Sequence, residues 1–128
     1  MTKINEIYKC EICGNIVEMT HGGNGTLTCC GESMKKIEPQ SGPEGQEKHL
    51  PVSERDGNKI IVTVGSVLHP MLEEHYIEWI EIISRSHGQR VFLNPGDEPK
   101  AEFLVDEADE EITIRAYCNV HGLWSIKL

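Results

Sequence analysis

Four cysteines fall within the first 30 residues, at Cys10, Cys13, Cys29 and Cys30, in the Gly-rich stretch "YKCEICGNIVEMTHGGNGTLTCCGESMKKI". So short a piece of chain cannot hold itself together by apolar burial. Below about 40 residues a metal or disulfides usually supply what is missing. The N-terminal "MTKINEIYKC" shows no apolar run of the kind that directs secretion, so a cytoplasmic address is expected. In that compartment clustered cysteines point to metal or redox chemistry rather than to structural disulfides. Cys10-x2-Cys13 is a chelating knuckle, because two intervening residues let both sulfurs face one ion. The vicinal pair Cys29-Cys30 is odder: neighbouring side chains project differently, so this half should widen or distort a tetrahedron. Four thiolates select zinc or iron. The spacing leaves both open, as a structural zinc knuckle or as one iron held by four sulfurs.

The rest of the chain reads differently. Residues 1–37 form the cysteine module, "EPQSGPEGQ" reads as a Pro- and Gly-rich linker, and residues 38–128 make a second domain. Beyond residue 50 the pattern is strand after strand. "KIIVTVGSV" sets Ile60, Val62 and Val64 against Ile61 and Thr63; "HYIEWIEIIS" sets Tyr76, Ile80 and Ile82 against Ile77, Trp79 and Ile83. "RVFLN", "AEFLV", "EITIRAYC" and "LWSIKL" follow, with turn residues between them. Short β-branched runs at roughly regular spacing, without helical periodicity, predict a mainly β protein with an antiparallel sandwich or barrel. In "EITIRAYC", Ile112, Ile114, Ala116 and Cys118 share a face, which puts Cys118 at the inner end of a strand.

Charge narrows the function. Lys and Arg total 12 against 21 Asp and Glu, a net −9. That balance argues against nucleic acid and against anionic membrane surfaces, both of which want a basic patch. The run "DEADEE" at 106–111 reads as a solvated strand connection. No stretch approaches the roughly 18 apolar residues of a membrane-spanning helix.

The chain also carries six histidines. His69 and His75 bracket "HPMLEEH", a connection between two predicted strands. Cys118 and His121 bracket a tight turn, and His49 sits in a loop, "GQEKHLP", beside Glu47 and Lys48. His21 and His87 lie in Gly-flanked turns and are left out. Four nitrogen donors and one sulfur donor thus fall on strand ends and loops of one small sandwich, where they can converge. A blue-copper site would need a weak axial Met soon after His121, and the tail "GLWSIKL" has none. The other reading is a mononuclear non-haem iron with several equatorial imidazoles and an axial thiolate. Five protein donors around a six-coordinate metal leave one position for a small substrate. An electron carrier would gain nothing from such a position.

These residues carry a resemblance. "CEIC" with "LTCCGESM" resembles the desulforedoxin-like module of the desulfoferrodoxin family, the two-iron superoxide reductases. "EKHLP", "HPMLEEHYIEWI", "NPGDEPKAEF" and "YCNVHGLW" resemble that family's catalytic domain. The resemblance implies an immunoglobulin-like sandwich, and superoxide as a substrate reduced to hydrogen peroxide without dioxygen production. It implies two iron ions per chain, one held by Cys10, Cys13, Cys29 and Cys30, the other by His49, His69, His75, His121 and Cys118. It further implies catalytic roles for Glu47 and Lys48. Lys48 would supply positive potential for an anionic substrate, and Glu47 a carboxylate that displaces product. A homodimer and a rubredoxin-like electron donor are also implied.

Overall fold

The structure, a computed structural model, describes residues 1–40, 46–85 and 87–128, with only the backbone of Gln46. Residues 41–45 of the stretch read as a linker lie outside the described residues. Two compact units emerge, Met1–Glu38 and Pro39–Leu128.

The first unit is built from five short strands: β1 (Ile7–Lys9), β2 (Ile16–Glu18), β3 (Thr28–Cys29), β4 (Glu32–Ser33) and β5 (Lys35–Ile37). β1 is the centre of a three-stranded antiparallel sheet, flanked by β2 and β5, while β3 and β4 form a separate hairpin. Ile7 and Cys10 are its buried apolar side chains, so little apolar surface is removed from water. The Lys36 ammonium lies 2.7 Å from Glu6 and pulls that carboxyl down to about 2. With Lys36 still exposed to solvent, such a pair adds little stability.

The second unit opens with one helical turn, α1 (Gln46–His49), where a loop is expected from the sequence. Glu47 and Lys48 are good helix formers, and Pro51 stops the turn because the residue before a proline is pushed out of the helical region. Seven strands follow: β6 (Pro51–Asp56), β7 (Lys59–Val64), β8 (Ile77–Ile83), β9 (Gly88–Phe92), β10 (Lys100–Leu104), β11 (Thr113–Cys118) and β12 (Gly122–Lys127). They make two antiparallel sheets, in the orders β10-β7-β6 and β12-β11-β8-β9. Strand β6 goes unsignalled in the sequence because "PVSERD" runs through four polar residues without apolar alternation and begins with proline, which sheets tolerate on an edge strand.

The core lies between the two sheets. Ile60, Val62 and Val64 of β7 and Ala101 and Phe103 of β10 meet Ile80 and Ile82 of β8 and Ile114, Ala116 and Cys118 of β11. Each such Val, Ile or Phe contributes roughly 1.5–3 kcal/mol through removal from water. The sandwich expected from the alternating runs is therefore present, with Cys118 fully buried at the end of β11.

One facing differs from the sequence reading. Ile77 joins Ile80 and Ile82 in the core instead of lying opposite them. The cause is a bulge: Tyr117 pairs with Trp79, yet the next residue, Cys118, pairs with Ile77, so one residue of β8 is skipped. Bulges re-aim side chains and are frequent beside functional sites. The other face of β8 and β11 buries Glu81, which accepts from Arg115 at 2.6 Å and is also paired with Arg90. The acidic run 106–111 joins β10 to β11, held by Arg55, which donates to the carbonyls of Asp106, Glu107 and Asp109.

Candidate metal centres

Among the described residues two groups of side chains converge closely enough to hold a metal ion: Cys10, Cys13, Cys29 and Cys30, and His49, His69, His75, Cys118 and His121. Within each group all donor atoms lie within 4.8 Å of one another. His21 and His87 are exposed and belong to neither group.

In the cysteine group, Cys13 Sγ and Cys29 Sγ are 3.6 Å apart, and the vicinal sulfurs of Cys29 and Cys30 are 4.0 Å apart. Four sulfurs at about 2.3 Å from one ion in a tetrahedron would be about 3.8 Å apart. The distortion expected of the vicinal pair is therefore small. Cys30 escapes it by adopting φ 53°, a left-handed backbone that non-glycine residues avoid, followed by Gly31 at φ 77°. This turn swings the second sulfur back beside the first. The backbone N–H of Cys13 donates to Cys10 Sγ at 3.5 Å and holds that thiol down at about 7. Contact with the sulfurs of Cys13, Cys10 and Cys29 instead drives Cys30 up to about 12. Four thiols this close cannot all ionise without a cation among them, so the group fits a metal and not a free thiol cluster.

The second group is assembled from three places. The helical turn α1 brings His49, the connection between β7 and β8 brings His69 and His75, and the β11–β12 hairpin brings Cys118 and His121. The hairpin closes on the pair Cys118–Gly122, with Gly122 at φ 85° as its left-handed residue. The imidazoles form a ring. Successive centroids, His49 to His69, His69 to His75, His75 to His121 and His121 to His49, are 4.7, 4.7, 5.0 and 4.7 Å apart. The diagonal from His49 to His75 is 6.4 Å, close to that of a square with such sides.

The donor atoms can be named. His49 Nε2 and His121 Nδ1 are 3.0 Å apart, which matches two nitrogens at right angles about 2.1 Å from one ion. His69 binds the Pro70 carbonyl through Nδ1 at 2.7 Å, leaving Nε2 free to face inward. The Nε2 atoms of His69 and His75 are buried and find no hydrogen-bond partner among the described residues, a costly state unless a metal takes them. His121, two residues beyond the one that follows Cys118, presents Nδ1 to His49 and to the Cys118 sulfur, 3.8 Å away.

Burial holds His69 down at about 4 and also lowers His75, where the neighbouring His121 and Lys48 add to the effect. Burial thus favours the neutral form of both rings. Burial pushes the Cys118 thiol up, opposed by the amides of His121 and Val120; the His121 N–H reaches Sγ at 3.3 Å. A thiolate there needs a cation beside it. Glu47 and Lys48 are exposed on the turn that ends in His49.

Supports surround the ring that the sequence does not advertise. Trp124 stacks on His49 at 5.0 Å, and its indole N–H donates to the His121 carbonyl, which also accepts from Gln40 at 2.6 Å. Beneath α1, the Glu47 carbonyl accepts from Val67 N at 2.9 Å and from Ser66 Oγ at 3.2 Å. The glycine in "TVGSV" was the available signal, since a glycine ending a strand often marks close backbone approach.

The sequence profile described as Desulfoferrodoxin matches residues 41–127, and that of the Desulfoferrodoxin N-terminal domain matches residues 2–37. The chain belongs to the desulfoferrodoxin family. A desulfoferrodoxin homolog of Archaeoglobus fulgidus is 57% identical over 97% of this chain and 98% of its own. A superoxide reductase of Pyrococcus horikoshii is 36% identical over 71% of this chain and 94% of its own. Among solved structures, the superoxide reductase of Treponema pallidum superposes with a TM-score of 0.77 at 29% identity, covering 99% of this chain and all of that one. The two desulfoferrodoxin domains carry a group of four cysteines and a group of four histidines with Cys118, a pair of donor sets consistent with two iron sites. Among the described residues no helix is long and apolar enough to cross a membrane.

The two groups should be separable. Cys13→Ser should damage or empty the sulfur site while superoxide consumption continues at the second. Visible spectra and iron analysis beside an activity assay check this. Loss of activity with the second site still loaded would contradict the division.

Proposed function

We propose that the protein is a superoxide reductase, converting superoxide, one electron and two protons to hydrogen peroxide without forming dioxygen. The observation that carries the reading is the square of four imidazoles with the Cys118 thiol beside it. In this reading His49, His69, His75, His121 and Cys118 ligate the catalytic iron, and the four N-terminal cysteines the other. Iron held by these residues would supply the transferred electron and a place for a small anion to bind.

The chain's own residues do the rest. Burial favours the neutral form of His69 and His75, which leaves their Nε2 lone pairs for a metal. The His121 amide donates to Cys118 Sγ and so sets how much electron density that sulfur can give. Lys48 supplies positive potential and orders a proton-donating water at Nζ. The Glu47 carboxylate takes the place of product. Residues 38–128 carry the reaction and 1–37 the sulfur centre. A homodimer in the cytoplasm drawing on a rubredoxin-like donor completes the reading.

Lys48 provides the test. At −9 the protein as a whole repels an anion, so fast capture needs a local field of opposite sign. Screening limits such a field to about 8 Å at physiological salt, so few residues can supply it. Lys48 is near enough to lower His75 through its charge. Lys48→Ile should slow the reaction of reduced protein with superoxide by about 10-fold and flatten or reverse its salt dependence. Iron content should not change. Pulse radiolysis across a salt series measures both, and equal rates with equal slopes would leave Lys48 a solvated surface residue.

A further inference from the structure

The β8–β11 ladder stops at Cys118–Ile77, just past the bulge, yet His75 lies two residues beyond Ile77, outside the strand. Something else must fix it against the β11–β12 hairpin. Asn119 does this. Its Oδ1 accepts from Tyr76 N–H at 2.9 Å, its Nδ2 donates to the Glu74 carbonyl at 3.1 Å, and its own N–H donates to the Tyr76 carbonyl at 3.3 Å. The two residues flanking His75 are thus both bonded to the residue that follows Cys118. These bonds join positions 43 and 45 apart in the chain, and they continue the pairing where the ladder has run out.

Within its own segment His75 is tied to Leu72, through paired backbone bonds of 2.9 and 3.1 Å. That small bridge shapes the local turn but does not orient it toward Cys118 and His121. Asn suits the task because one side chain offers an acceptor and a donor together, and both are used here.

We infer that Asn119 is a positioning residue for the second iron site, holding His75 in register with Cys118 and His121. The inference rests on the ligand assignment under Proposed function. Partners that orient metal ligands typically change metal affinity by about 10–100-fold when removed.

The experiment uses the full-length protein. Iron affinity of the second site is measured by chelator competition for wild type, Asn119→Ala and Asn119→Asp, with the visible thiolate band of the oxidised protein recorded for each. Asn119→Ala should bind iron about 10–100-fold more weakly. Its band should be shifted or broadened while the spectrum of the sulfur site is unchanged. Asn119→Asp keeps the acceptor for Tyr76 N–H and loses the donor to Glu74, so it should fall between. A residue that only stabilised the fold would lower the melting temperature of the iron-free protein without moving the band of the loaded one. Wild-type affinity and band in both variants would overturn the inference. If Asn119→Ala does not fold, Asn119→Asp decides by the same two readings. Affinity is read without superoxide, so a wild type that binds iron yet leaves superoxide untouched counts against the proposed function alone.

Discussion

Cys118→Ser is expected to abolish superoxide reduction, bringing the rate down to the buffer background, and to remove the thiolate-to-metal band of the second site. Cys118 is fully buried at the inner end of β11, where Ile77 and Ala116 pack in the same core cluster. Burial, with a smaller push from Glu78, drives its thiol up, and the His121 and Val120 amides pull the other way. The site is therefore built for a sulfur that is charged only when a cation stands beside it. A serine hydroxyl ionises far less readily than a thiol and is a harder, shorter donor, poorly matched to a pocket shaped for sulfur. The four imidazoles remain, so some iron should still bind, and the loss should appear in the chemistry before the iron content. A surviving thiolate band would mean that Cys118 is not a ligand.

Gly65→Ala is expected to disable the same site from beneath. A Cβ at Gly65 would fall 2.6 Å from the Glu47 carbonyl oxygen, 3.0 Å from the Lys48 carbonyl carbon and 3.1 Å from the Leu50 carbonyl oxygen. All three obstacles are backbone, so no side chain can swing aside. The turn that must move is α1, which carries Glu47, Lys48 and His49 and rests on Ser66 and Val67 through the Glu47 carbonyl. Overpacking of this kind costs roughly 1–3 kcal/mol. Displacing His49 by even part of an ångström also opens one corner of the imidazole square. Second-site iron affinity should fall by at least about 10-fold, with the sulfur site unaffected. Gly88→Ala is the control, since its added methyl meets nothing within 4 Å. Titration with iron and a thermal melt of each variant would measure both effects. Wild-type affinity in Gly65→Ala would show that α1 is not held as described.

Much of this was legible in the sequence, for identifiable reasons. Period-two alternation in "KIIVTV" and "EITIRAYC" reports which residues face the core, because strand side chains alternate by geometry. It therefore placed Ile60, Val62, Val64, Ile114, Ala116 and Cys118 as found. The same logic failed at Ile77, since a bulge breaks the period and leaves no mark on composition. The donor groups were legible because clustered Cys and His are rare without purpose. What escaped was everything that acts by position: the left-handed Cys30, the Nδ1 edge of His121, Gly65 beneath α1, and Asn119 across the hairpin. Cys30 depends on a local backbone angle and the other three on which segments meet in three dimensions; of these only Gly65 left a trace in residue type, as a glycine at a strand end.

The most direct test of the central claim is the product yield. Reduced protein, kept supplied with electrons, is exposed to a measured quantity of superoxide, and hydrogen peroxide and dioxygen are both quantified after correction for spontaneous dismutation. A superoxide reductase should give one peroxide for each superoxide consumed and no dioxygen. Peroxide and dioxygen in equal amounts would identify a dismutase and contradict the assignment.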